Sequence, residues 1–151
     1  MDPKINERNR AALDRLQAIA ARLSDDELLR PIDQPWSAAA LFAHVAFWDR
    51  FTHARWLHAI ETRSDLPLSI DDPAMEMVNQ AALREWAVIP PRIAVEECLI
   101  AAAAIDDFID SLEPDAVSRV LLAGGERMVD RSIHRREHLE TIEGAFPDQC
   151  S

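Results

Sequence analysis

Apolar residues in this chain return every three or four positions over long stretches, and the pattern breaks where proline, glycine or aspartate gathers. That periodicity constrains the fold most, because it lays an apolar stripe down one face of a helix and does not fit a strand's period of two. Leu13, Leu16, Ile19 and Leu23 mark a helix over Asn6 to Leu23. Ser24-Asp25-Asp26-Glu27 reads as a cap opening a short turn that Pro31 stops. Ser37 is a good N-cap for a second long helix, Ala38 to Glu61. After a loop over Leu66 to Asp72, Asp71 or Asp72 can cap a shorter helix starting at Pro73, a favoured first position. That helix carries Met75, Val78, Asn79, Leu83 and Trp86, and ends before Pro90-Pro91.

A third long helix is expected over Arg92 to Leu112, with Glu113-Pro114 ending it. A fourth is expected over Glu126 to Glu143, stopped by Gly144 and Pro147. No alternating strand pattern is evident. The scarcity of glycine (3 residues) and the absence of tyrosine point the same way. Four long helices with short connections imply an all-α four-helix bundle, with a short extra helix before the third, in a single domain over residues 1–151.

Charge narrows the partners. The formal net charge is -11, which argues against a nucleic-acid backbone and against an anionic membrane surface. Met1 to Arg10 is polar and lacks the apolar region of a signal peptide, and no run is long enough to span a bilayer. Cys98 and Cys150 share no metal or redox spacing. Cys98 reads as a small core hydrophobe and Cys150 as an exposed terminal residue, so a reducing cytoplasm is the expected location.

The chemistry lies with histidine. His134 and His138 are four apart and stack on one face of a helix. On the second long helix, with His44 at zero and 100° per residue, Phe51 falls near about -20°, Trp48 near about 40° and Phe47 near about -60°. His44 is therefore at the centre of an apolar stripe. His53 falls on the opposite side, and His58 lies about 21 Å further along the axis. Alone, His44 reads as a core histidine bonded to an oxygen, with His134 and His138 at an amphipathic rim. Together, three neutral imidazoles converging inside a bundle would leave an open metal site, suited to Zn²⁺ and also to Ni²⁺ or Fe²⁺.

His134-Arg135-Arg136-Glu137-His138 also fits the H-x-x-E-H pattern of inverted zinc peptidases, although such peptidases need further acidic ligands well downstream. Glu137 is a candidate base or hydrogen-bond acceptor beside the metal. Arg127, Arg131, Arg135 and Arg136 make the fourth helix locally basic. Arg131 and Arg127 face the histidine side, where one could clamp a substrate carboxylate, whereas Arg135 and Arg136 read as solvated or paired with nearby Glu. Asn79 either orients a substrate or water, or makes a bundle-core hydrogen bond. Trp48, Phe47 and Phe51 either line a pocket or form core. The function classes left are a small-molecule metalloenzyme, a metal-binding or small-molecule-binding module that sequesters its ligand, and a structural dimer.

Trp36-Ser37 before Leu41-Phe42-Ala43-His44, then Asn79, then a terminal H-x-x-x-H followed by Leu139 and Ile142, resembles in order and spacing the DinB-like superfamily. That superfamily includes the metal-binding N-terminal domain of mycothiol-dependent maleylpyruvate isomerase. The resemblance covers nearly the whole chain. It implies an up-down-down-up bundle and a divalent metal on His44, His134 and His138. It also implies thiol-dependent S-transferase or isomerase activity with a low-molecular-weight thiol such as mycothiol. Metal-dependent hydrolases and small-molecule resistance proteins are the alternatives it brings, and homodimers are common. The isomerase's second domain is not expected here.

Overall fold

The computed structural model describes residues 3–66, 70 and 72–148. Asp71 and Cys150 lie outside the described residues. Four long helices carry the fold, and their ends follow the local chemistry. The first, α1 (Pro3–Arg22), opens on a proline, which costs nothing where the N–H has no helical partner. Ser24 and Glu27 then form a reciprocal capping box, each side chain meeting the other's backbone N–H at 3.1 Å, and start α2 (Asp25–Leu29).

A two-stranded antiparallel ribbon, β1 (Pro31–Asp33) and β2 (Trp36–Ser37), follows. It corrects the expectation of no strand. Segments of two and three residues are too short to show alternation.

Ser37 Oγ accepts the Ala40 N–H at 3.1 Å and caps α3 (Ala38–Thr62). That helix stops at Arg63 in the left-handed region, φ 53°. The helix α4 (Asp72–Trp86) lies against α3, and α5 (Pro91–Asp110) starts directly after Pro90.

The last third of the chain departs from expectation. The nine residues of α6 (Pro114–Leu122) were not foreseen. They bury Val117 and Val120 against Ile5, Trp56, Ile105 and Ile109, but two turns hold too little pattern to stand out. The continuous helix expected over Glu126 to Glu143 is a 3₁₀ turn at Glu126–Met128, a break, and then α7 (Ser132–Ala145). Tertiary partners make the break. Trp56 Nε1 donates to Met128 O at 2.9 Å, Asn9 Nδ2 donates to Val129 O at 2.9 Å, and the Ser132 N–H is taken by Asn9 Oδ1 at 3.1 Å. These bonds satisfy backbone groups that a continuous helix would use for itself. At the other end, Gly144 lies inside α7 rather than stopping it.

The long helices form a ring in which α1 packs on α5 and α7, and α3 packs on the same two. Asn6 at the start of α1 meets Asp110 at the end of α5, while Arg92 at the start of α5 meets Ala20 O near the end of α1, so these two run antiparallel. Arg8 meets Asp130, and Arg22 meets Phe146 O, so α7 runs with α1. Trp56, near the end of α3, packs by Phe108, near the end of α5, so α3 runs with α5. The chain is an up-down-down-up four-helix bundle, and the parallel α3–α5 pair requires the long crossover that carries α4.

Candidate metal centre

One end of the bundle brings α3 and α7 together around three imidazoles. The Nε2 of His44 is 3.0 Å from the Nε2 of His134 and 3.0 Å from that of His138, which are themselves 3.1 Å apart. His44 projects from the buried face of α3. Trp36 and Trp86 enclose it edge-on, with ring centroids at 5.4 and 5.3 Å. Trp86, which the sequence left without a role, is thus part of the wall that excludes water from this histidine. His134 and His138 reach the same point from consecutive turns of α7.

Burial keeps the rings uncharged. It pushes the His44 pKa down to about 3, aided by His138. It also drives His134 well below the ordinary value, with Arg131 adding to the effect, and lowers His138. A neutral imidazole presents a lone pair on whichever nitrogen lacks the proton. With the protons on Nδ1, three lone pairs converge on one point and repel unless a cation lies among them. Nitrogens this far apart can all reach a single ion at the about 2.0–2.1 Å of a metal–imidazole bond. The donor set therefore fits a divalent metal. The Nδ1 atoms of His44 and His134 are buried with no hydrogen-bond partner among the described residues.

The triad opens onto a cleft of about 890 Å³, walled by Trp36, Leu41, Trp48, Met75, Asn79 and Arg131 among others. Asn79 Oδ1 accepts the Trp48 Nε1–H at 2.9 Å, which fixes the indole in the cleft wall and ties α4 to α3. Glu137 is at the rim, where it pairs with Arg127 at 2.8 Å, both about half exposed. Phe47 packs into the core, so of the three α3 aromatics weighed as pocket or core, Trp48 lines the cleft. His53 is away from the triad, half-buried on Phe108 with ring centroids 4.8 Å apart rather than facing solvent, and His58 is exposed.

Among the arginines at and around the start of α7, Arg135 departs from its sequence reading. Arg131 is buried and faces the cleft. Its Nε donates to Asp49 Oδ1 at 2.8 Å and its Nη1 donates to Arg127 O at 2.6 Å, so two of its three nitrogens are engaged by the fold. Arg135 was expected at the surface or on a nearby Glu, and that reading is corrected. It has no exposed surface, and it donates to Asp49 Oδ2 at 3.0 Å and to both oxygens of Asp106 at 2.8 and 2.9 Å. Burial opposes its charge, but Asp49 and Asp106 overcome that and hold the guanidinium charged. Arg136 is exposed, as expected. Asp49 and Asp106 were missed. The available signal was that a charge within or beside an apolar helical run needs a buried partner, and the surplus arginines of α7 were the candidates. Burial pushes the Cys98 thiol up, which leaves it inert as a nucleophile.

A family model described as the DinB superfamily matches residues 8–142, a span that holds all three histidines. The chain belongs to the DinB superfamily. Comparison with curated proteins and with solved structures gives no match. Membership agrees with the all-α bundle and with a three-histidine group able to hold a metal ion, both characters that this DinB-superfamily chain displays in its own geometry. Among the described residues, no helix is long and apolar enough to cross a membrane.

Proposed function

We propose that this chain is a divalent-metal-dependent enzyme acting on a small molecule, with a low-molecular-weight thiol as the second reactant of an S-transfer or isomerisation. The observation that carries the reading is the triangle of three Nε2 atoms, 3.0–3.1 Å on a side, set in the wall of a large cleft. His44, His134 and His138 would hold the metal, and Zn²⁺, Ni²⁺ and Fe²⁺ all suit three imidazoles. When bound, the metal supplies a Lewis acid that favours the deprotonated form of a thiol or water. The chain's own residues do the remainder. Trp36, Trp48 and Met75 give the reactants apolar walls, Asn79 holds Trp48 in place, and Glu137 at the rim is positioned to accept a proton leaving the cleft. The volume of about 890 Å³ is at the upper end of ordinary ligand pockets, which supports two reactants together. A mycothiol-type thiol follows from the family rather than from any contact.

The test begins with elemental analysis of the purified protein after metal reconstitution, repeated on His44→Ala. Stoichiometric metal in the wild type and its loss in the variant are expected. Wild-type protein that takes up no metal would end the reading. Metal-loaded protein is then assayed for thiol consumption against a panel of electrophiles. Binding without turnover would favour sequestration, and ester or amide cleavage without thiol would favour hydrolysis. A reducing cytoplasm and a homodimer complete the proposal, the dimer being checked by light scattering.

A further inference from the structure

We propose that Asp49 is a positioning residue of the metal centre, cancelling the Arg131 charge beside His134 and tying the helix that bears two ligands to the helix that bears the third. This rests on the metal reading above. Arg131 precedes His134 by three residues, so its guanidinium lies one turn away on the same face of the chain and lines the same cleft. A fixed cation at that place repels a divalent ion. Asp49, with no exposed surface, meets it: Oδ1 accepts Arg131 Nε at 2.8 Å, while Oδ2 accepts Arg135 Nε at 3.2 Å and Nη2 at 3.0 Å. One carboxylate on α3, five residues after His44, thereby grips Arg135 on α7 and Arg131 at its N-cap, on either side of His134.

The two arginines depend on Asp49 unequally. Arg135 also has Asp106, which accepts two of its hydrogen bonds, and it points away from the cleft towards Asn9 O and Ala102 O. Among the described residues, the carboxylate paired with Arg131 is Asp49. Removing the Asp49 charge leaves Arg135 compensated and leaves Arg131 as an uncancelled charge beside the ligands. Asp49 and Arg131 then form a unit. Deleting the anion alone harms a cation site, and deleting anion and cation together restores its electrostatic balance.

The experiment measures zinc affinity by chelator competition on the full chain, with folding followed by far-UV circular dichroism. Asp49→Asn should weaken zinc binding by about tenfold or more, because the released charge acts at short range in a poorly solvated wall. The double variant Asp49→Asn/Arg131→Met should return to within about threefold of wild type, the two sites being coupled rather than additive. Wild-type affinity in the single variant would overturn the proposal. So would a double variant as weak as the single, since a purely structural Asp49 predicts no rescue. If the single variant does not fold, the double decides alone: affinity near wild type supports the proposal and a tenfold loss overturns it. A wild-type protein that takes up no zinc defeats the metal reading itself, and that arm tells the two failures apart.

Discussion

Acidifying the metal-free protein from pH 7 to pH 5 should destabilise it through the buried histidines. In the folded chain, burial pushes the His44 pKa down to about 3, with the neighbouring His138 adding to the effect. In the unfolded chain the ring titrates near its ordinary value of about 6.5. Below that value the unfolded chain takes up a proton that the folded chain refuses. Stability is therefore complete above about pH 6.5 and falls as pH drops through it, until the folded ring itself titrates. Each unit of pH in that window costs about 1.4 kcal/mol per ring, so His44 alone contributes a loss of about 2 kcal/mol between pH 7 and pH 5. His134 and His138 are shifted in the same direction and add to it. Against a typical total of about 5–15 kcal/mol, the loss is readily measured. The assay is urea unfolding of EDTA-treated protein at both pH values, for wild type and for His44→Gln, whose side chain does not titrate. Carboxylates and other groups contribute to both proteins and cancel in the comparison. Equal losses in wild type and variant would refute the claim that His44 is held neutral by burial.

Three further outcomes follow from the same structure. Chelating the metal should lower the melting temperature by several degrees, since a ligand at a hundred times its Kd stabilises the native state by about 2.7 kcal/mol; an unchanged curve after confirmed metal removal contradicts a metal that bridges α3 and α7. Arg135→Ala should cost about 3–5 kcal/mol in urea unfolding, because it leaves the buried Asp106 without its cation and Asp49 with Arg131 alone, whereas exposed Arg136→Ala should change stability by less than about 0.5 kcal/mol. Ser37→Ala removes the side-chain cap of the helix that carries His44 and should cost about 1 kcal/mol, read as a lower urea midpoint with an unchanged slope.

Much of the bundle was legible because local rules acted alone. The Ser37 cap, the Ser24 cap with its acidic first turn, and the starts of α4 and α5 near Pro73 and Pro91 all depend on residues within a turn of one another. The failures cluster where distant side chains interfere. Nothing near Val129 in sequence says that Asn9 and Trp56 will capture the backbone there, yet those captures divide the expected fourth helix in two. Arg135 misled for the same reason. Next to Glu137 it reads as a surface residue, and only the packing of α3 and α5 against α7 supplies the two aspartates that let it be buried.

The histidines divide along the same line. Spacing alone put His134 and His138 on one face of a helix and His44 at the centre of an apolar stripe, because helical geometry is local and periodic. That was enough to set aside His53 and His58. Whether the two faces meet is a question of tertiary packing. The up-down-down-up ring sets α7 antiparallel to α3, Asp49 grips Arg131 and Arg135, and three nitrogens from sequence positions ninety or more residues apart on the two helices come to within 3.1 Å. The sequence by itself determined which side chains could serve a metal, since residue type and helical phase are written locally. Only the tertiary structure decided that they converge, since convergence depends on long-range packing and a buried charge network that no window of the chain contains.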